Sequence, residues 1–107
     1  MTIDSSLLEK CKSGQRRAQH DLYLRCYPIM MSICQRYERN KDDAESLLNQ
    51  SFLKVLTKLE TYKEIVPFDA WVRRITINTA IDELRNKKRG KLDYMEEPSE
   101  MGDLENM

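Results

Sequence analysis

The 107-residue sequence contains little of what small enzymes are built from. It has one histidine, His20, three glycines, and three cysteines without any Cys-x-x-Cys spacing. Without a glycine-rich phosphate loop or a Cys/His cluster, few residues remain from which a catalytic or metal site can be built. We therefore expect a protein that is not an enzyme and that has no cofactor and no metal.

The sequence also lacks an apolar run of 18 residues and the pattern of a signal peptide. A membrane-spanning helix needs about 20 mostly apolar residues, and a secretory leader has a recognisable charged and apolar pattern. We therefore expect a soluble, cytoplasmic protein with no membrane partner. Because the cysteines are odd in number, we expect Cys11, Cys26 and Cys34 to be small buried hydrophobic side chains.

The net charge is zero, but the charges are unevenly distributed. Residues 1–91 hold all 18 basic residues and 12 of the 18 acidic ones, a balance of +6, whereas residues 92–107 hold six acidic residues and no basic one. A basic body is typical of a protein that binds a polyanion. The acidic tail shows no helical periodicity, so we expect a folded domain over 1–90 and a disordered acidic linker over 91–107.

Hydrophobic periodicity predicts an all-α fold, a compact bundle of about four helices with a long last helix. Asp4 and Asn40 are expected to cap the first and third helices. Gly14 is expected to end the first helix, and Pro28 to kink or break the second. The expected helices cover residues 5–12, 15–37, 42 to about 59, and 67–89.

The rest of the chain is organised around the last helix. Pro67 suits its first position, and Gly90 can close it in the left-handed conformation. At about 100° per residue, its side chains sort into two apolar stripes with a polar ridge between them. The first stripe is Phe68, Trp71, Val72, Ile75 and Thr79, and the second is Ile77, Ile81 and Leu84. The ridge is Arg74, Asn78, Asp82 and Arg85.

We expect both stripes to be buried and the ridge to be exposed. Amide, carboxylate and guanidinium groups at helical spacing suit base edges and phosphates, and Lys87, Lys88 and Arg89 add positive charge at the end of the helix. Asp82 is also three residues from Arg85, a spacing that allows an ion pair. From the periodicity alone, an ordinary core helix with a solvated face explains the same pattern.

Two further segments are candidates for binding. The third helix has an outer face with Glu45, Asn49 and Gln50 around Leu53, which favours a protein-docking patch. Leu48 beside this patch fits either the patch or the core. The loop over residues 60–66 contains Tyr62 and Lys63, and such loops often carry specificity, although a simple connector remains an alternative.

Four segments in order resemble region 2 of an ECF-type (group IV) bacterial sigma factor. They are LLEKCKSG (7–14) with Ala18, Leu22 and Tyr23; RY (36–37) with DAE (43–45) and FLKV (52–55); FDAWVRRI (68–75); and NTAIDELR (78–85). The resemblance spans residues 5–90, and four motifs in register are more specific than any one of them.

The resemblance implies two partners. Core RNA polymerase would be bound at the clamp helices of its largest subunit through Glu45, Leu48, Asn49, Gln50 and Leu53. The non-template strand of the promoter −10 element would be recognised and helped to melt, with one base flipped into a pocket between loop 62–68 and the long helix. The residues implied in DNA binding are Tyr62, Lys63, Phe68, Trp71, Arg74, Asn78, Asp82, Arg85, Lys87, Lys88 and Arg89.

The sequence departs from the family pattern in its docking helix and in its length. Ser46, Asn49 and Gln50 stand where the family often has an acidic residue and then a Gln-Glu pair. The resemblance also implies a second domain for the −35 element, and we expect that the sequence stops within the linker that precedes it. An anti-sigma protein is a further possible partner. The alternative is a helical module that binds only proteins, without sequence-specific DNA recognition.

Overall fold

The computed structural model describes the backbone of residues 3–95 and the side chains of residues 3–88. Within these limits it contains four α-helices, one short 3₁₀ helix and no strand. The elements are α1 (Ser5–Lys12), α2 (Arg16–Tyr37), α3 (Lys41–Thr57), a 3₁₀ helix (Leu59–Thr61) and α4 (Phe68–Met95). The predicted helical bundle with a long last helix is confirmed. Residues 91–95, which we expected to be disordered, are instead the last residues of α4, and the tail from residue 96 onward lies outside the described residues.

The side-chain caps predicted for α1 and α3 are present. Asp4 Oδ1 accepts a hydrogen bond from the Leu7 N–H at 2.8 Å, and Asn40 Oδ1 accepts from the N–H groups of Asp42 and Asp43 at 2.8 and 3.1 Å. Each cap satisfies N–H groups that have no partner within the first turn of a helix. Both helices therefore begin within a residue of the predicted positions.

Two residues that were expected to interrupt helices lie inside them. α2 is not broken at Pro28, and α4 continues through Gly90 to Met95. Pro28 and Leu24 are both exposed, so the Leu24 carbonyl, which loses its helical partner to the proline, can bond to water instead. A glycine costs a helix only about 1 kcal/mol relative to alanine, which its neighbours in α4 can offset.

The core lies where α2, α3 and α4 pack against one another, with α1 against α2. Three of the five residues in the first apolar stripe of α4 are buried hydrophobic side chains, Thr79 is buried with them, and Trp71 is half-buried. The Thr79 hydroxyl donates to the Ile75 carbonyl at 2.7 Å, so its burial leaves no donor unpaired. All three cysteines are buried, as predicted.

The predicted burial of the second apolar stripe of α4 is wrong. Ile77, Ile81 and Leu84 are 37%, 38% and 38% exposed. They lie on the side of α4 opposite its core face, because α2 and α3 both pack on the first stripe. Over the described residues, no helix is long and apolar enough to cross a membrane.

Candidate functional site

Four of the five residues predicted for protein docking lie together on α3. Glu45, Asn49, Gln50 and Leu53 line a surface depression of about 510 Å³, together with Asp42 and Ser46. Leu53 is 64% exposed, so a large apolar side chain is accessible to solvent among amide and carboxylate groups. This arrangement suits a partner that buries one apolar contact and forms hydrogen bonds around it.

The fifth predicted docking residue, Leu48, belongs to the core. Its side chain is fully buried on the inner side of α3, so a partner on the surface cannot reach it. The apolar periodicity of α3 already allowed this alternative, and packing against the other helices decides it. Leu48 therefore supports the docking face without forming part of it.

Two tyrosines of α2 hold the docking residues of α3. The Tyr23 hydroxyl donates to Asn49 Oδ1 at 3.0 Å, and the Tyr27 hydroxyl donates to Glu45 Oε2 at 3.0 Å. The Tyr23 ring packs edge-on against the rings of Tyr27 and Phe52, with centroids 5.8 and 5.1 Å apart. The hydrogen bond to the Glu45 carboxylate raises the pKa of Tyr27. The sequence analysis did not predict this role of the two tyrosines. Their i, i+4 spacing, which places both on the same face of α2, was the signal that could have indicated it.

The polar ridge of α4 is exposed along its whole length, as predicted. Arg74, Asn78, Asp82 and Arg85 follow one another over about 16 Å of helix, and Lys88 is exposed one turn further on. Within the side chains that the structure describes, Asp82 and Arg85 do not form an ion pair. The ridge thus presents an amide, a carboxylate and several cations in one row.

Lys87 is exposed like Lys88, but its charge has a partner within the domain. Its ammonium lies 2.5 Å from Glu38 Oε2, in an ion pair that joins the end of α2 to α4. The hydrogen bond to Glu38 raises the pKa of Lys87, and the Glu38 side chain is only 12% exposed. The charge of Lys87 is therefore already compensated within the domain. The side chain of Arg89 lies outside the described part of the chain.

An aromatic cluster joins the loop after the 3₁₀ helix to the start of α4. The ring centroids of Tyr62 and Phe68 are 5.1 Å apart, those of Tyr62 and Trp71 are 5.0 Å apart, and those of Phe68 and Trp71 are 5.5 Å apart. The Tyr62 hydroxyl donates to the Val66 carbonyl and so closes the loop on itself. Lys63 is exposed in this loop, whereas Phe68 is buried and packs against the rings of Tyr62 and Trp71.

A cavity of about 270 Å³ lies beside this cluster. Tyr62 and Val66 of the loop line one side, and Ser5 and Leu8 of α1 line another. Sequence reasoning expected a pocket between the loop and the long helix, but it did not expect α1 to form a wall. Of α4, only Phe68 and Asp69 reach the cavity. It is therefore about 15 Å along the helix from Asn78.

The fold and these surfaces define a helical binding module with one candidate face on α3 and a separate one on α4. Residues 22–90 match the family model described as Sigma-70 region 2. This match covers more than half of the chain, and the chain therefore belongs to the sigma-70 region 2 family.

The chain is similar to several curated proteins. It is 32% identical over 81 residues to RNA polymerase sigma factor CarQ of Myxococcus xanthus, which covers 76% of this chain and 47% of that protein. It is 36% identical over 53 residues to RNA polymerase sigma factor SigV of Bacillus subtilis (strain 168), covering 50% and 32%. It is 27% identical over 81 residues to the RNA polymerase sigma-H factor of Pseudomonas aeruginosa, covering 76% and 42%. The chain thus spans less than half the length of each of these relatives.

Proposed function

We propose that this chain is the region 2 module of an ECF-type sigma factor. In this role it binds core RNA polymerase and recognises the non-template strand of the promoter −10 element as the strands separate. It acts in the cytoplasm by binding and not by catalysis. The observation that carries the proposal is the exposed row of Arg74, Asn78, Asp82 and Arg85 on a domain that belongs to this family.

The depression on α3 is the proposed contact with the clamp helices of the polymerase. Leu53 supplies the apolar anchor, since it is large, exposed and surrounded by polar groups. Glu45 and Asn49 form the polar rim and are held in place by the tyrosines of α2. Rim groups of this kind tune association and specificity, whereas the buried anchor determines how slowly the complex dissociates.

The ridge of α4 is the proposed contact with unpaired DNA. Asn78 has both a donor and an acceptor for a base edge, and Asp82 can accept a hydrogen bond from a base amino group. Arg74 and Arg85 supply charge for phosphates. Lys88 extends this charge to the end of the ridge.

The aromatic cluster is the proposed site for a flipped base. Tyr62 and Trp71 are half-buried, so each has ring surface available for stacking, which single-strand binding uses widely. Lys63 adds a cation in the same loop. Phe68 contributes only by packing against both rings. A folded domain followed by an acidic linker after the end of α4 remains part of this proposal.

The experiment is a comparison of labelled single strands that carry the cognate or a scrambled −10 sequence, bound by the chain together with core polymerase. Asn78→Ala is expected to weaken binding of the cognate strand by about 1–3 kcal/mol and to leave the scrambled strand nearly unaffected. Lys88→Ala should weaken both strands alike and reduce the salt dependence. Asn86→Ala, an exposed asparagine of α4 outside the ridge, is the matched control.

Equal losses on both strands for Asn78→Ala would contradict sequence recognition by the ridge. Polymerase binding that depends on Asn49 and Leu53, without any dependence of DNA binding on Asn78, favours the alternative module that binds only proteins. An anti-sigma protein is then a candidate partner for the same α3 face.

A further inference from the structure

An apolar stripe lies exposed on the side of α4 that faces away from α2 and α3. It consists of Ile77, Ile81 and Leu84, which are 37%, 38% and 38% exposed and follow one another at i, i+4 and i+7. The outer side of a surface helix normally carries polar residues. A row of three large apolar side chains is the kind of surface that another segment covers. None of the contacts in the proposed function uses these three residues.

Exposed basic residues flank this stripe on both sides. At about 100° per residue, Arg73 lies about 40° to one side of Ile77, and Arg74 lies about 60° to the other. Between residues 73 and 88, the acidic side chains Asp82 and Glu83 lie about 100° beyond the edges of the stripe. A second copy of the same face would bring like charges together, which disfavours self-association. The flanking basic residues are Arg73, Arg74 and Arg85, and Lys88 lies in line with the stripe one turn beyond Leu84.

The C-terminal residues of the same chain have the complementary composition. Residues 96–107 contain five acidic residues and no basic one. They also contain large apolar side chains that can cover an apolar stripe. These side chains are Met101, Leu104 and Met107. One segment therefore offers both kinds of group that the stripe and its rim require.

These residues are also long enough to reach the stripe. Met95 is 14 residues beyond Ile81, which corresponds to about 21 Å along α4. The 12 residues over 96–107 can span about 40 Å when extended.

We propose that residues 96–107 fold back and cover the exposed stripe of α4. Their apolar side chains contact Ile77, Ile81 and Leu84, and their carboxylates lie beside the flanking cations. Because Arg74 belongs both to this rim and to the ridge, the segment competes with DNA for α4. That competition rests on the proposed function, whereas the contact itself does not.

The contact is tested by NMR of the full chain with ¹³C-labelled isoleucine δ1 methyl groups. The double variant Met101→Ser with Leu104→Ser is expected to shift the Ile77 and Ile81 resonances and to leave that of Ile29 on α2 in place. The matched control is Asn106→Ser, which keeps every apolar and acidic side chain of the segment. Unchanged Ile77 and Ile81 resonances in the double variant overturn the proposal.

A nitroxide spin label attached to Asn106→Cys tests whether the segment that covers the stripe belongs to the same chain. The three native cysteines are buried, so the reagent reaches position 106 preferentially. The label is expected to broaden the Ile77 and Ile81 resonances of its own chain. In a control mixture, the isotope label and the spin label are on separate chains. The same broadening in this mixture would show that a second copy covers the stripe, and would overturn the intrachain contact.

Competition is tested by the affinity of the full chain for a scrambled single strand. The double variant Met101→Ser with Leu104→Ser is expected to bind about two- to tenfold more tightly at low salt, with a smaller difference at high salt. Shifted methyl resonances without this gain support the contact and overturn the competition. If Asn78→Ala weakens binding of both strands equally, the proposed function fails, but the NMR test of the contact is unaffected. Failure of the proposed function can therefore be distinguished from failure of the contact.

Discussion

The Tyr27 hydroxyl lies 3.0 Å from Glu45 Oε2, so a residue of α2 fixes the direction in which α3 presents its carboxylate. Tyr23 does the same for the amide of Asn49, also at 3.0 Å. Both acceptors lie in the depression around Leu53. A rim held in place before the partner arrives loses less conformational entropy on binding.

Replacement of both hydroxyls should therefore weaken docking without unfolding the domain. Tyr23→Phe with Tyr27→Phe keeps the edge-on packing of the rings and removes only the two hydrogen bonds. Since these bonds hold the polar rim in one conformation before the partner binds, we expect affinity for core polymerase to fall by about twofold or more without them. Titration of fluorescent chain with polymerase measures this. Tyr37→Phe on the same helix is the control, and a loss of equal size there would contradict the assignment.

Leu48 and Leu53, both on α3, should behave in opposite ways when each is replaced by alanine. Leu48→Ala removes a fully buried side chain and is expected to destabilise the domain by about 2–5 kcal/mol. Leu53→Ala removes an exposed one, so it should leave the melting temperature nearly unchanged and speed dissociation from polymerase.

Leu24→Ala on α2 is the matched control for Leu53→Ala, because Leu24 is 55% exposed and lies outside the docking face. Thermal melts and dissociation rates of the three variants separate core from surface. Polymerase binding that survives Asn49→Ala with Leu53→Ala would show that this face is misassigned.

The ion pair between Glu38 and Lys87 predicts that removing the Glu38 charge increases the affinity for DNA. Glu38→Gln releases the ammonium of Lys87 from its partner, so we expect tighter binding to single strands of any sequence. Lys87→Ala should cost less DNA affinity than Lys88→Ala. Binding measured at two salt concentrations checks both, and equal losses for the two lysine variants would argue against compensation by Glu38.

The same ion pair should make a small contribution to stability that depends on pH. The hydrogen bond to Glu38 raises the pKa of Lys87 in the folded chain. A raised pKa stabilises the fold while the lysine is protonated, so this contribution is present at neutral pH. It should begin to fall as the pH exceeds lysine's ordinary pKa of 10.5 and disappear once the pH exceeds the raised pKa of the folded chain.

Lys87→Met measures this contribution. For a lysine that is 48% exposed, the loss at pH 7 should be no more than about 1 kcal/mol. Urea unfolding of both chains at pH 7 and above pH 11 tests the expectation. A difference that persists unchanged at the higher pH would mean that packing, and not charge, is lost.

The loop that Tyr62 closes should open when its hydroxyl is removed. Tyr62→Phe keeps the ring against Phe68 and Trp71 but loses the hydrogen bond to the Val66 carbonyl. We expect faster amide hydrogen exchange over residues 63–66 and little change in α2. Exchange that is equally fast across the whole domain would indicate global destabilisation instead.

Much of the fold could be predicted because its signals are local. The caps Asp4 and Asn40 act within one helical turn, and their effect on the start of a helix does not depend on the rest of the chain. The ridge on α4 was also predictable, since angular position alone separates Asn78 and Asp82 from the buried Val72.

The features that the sequence did not predict correctly depend on tertiary packing. Ile77 looks like a core residue by type, but α2 and α3 occupy the opposite side of α4. Leu48 fits two roles until α2 and α4 close over it. The Glu38–Lys87 pair joins residues 49 positions apart, a relationship that no local pattern reports.

The buried cysteines make thiol reactivity a measure of how often the domain opens. Burial raises the pKa of Cys26 to about 12 and that of Cys34 to about 11, so at neutral pH nearly all of both thiols are protonated. Oxidants and disulfides therefore find almost no nucleophile while the helices stay packed. Alkylation of these thiols therefore requires the helices to separate, and its rate reports how readily the buried cysteines become exposed.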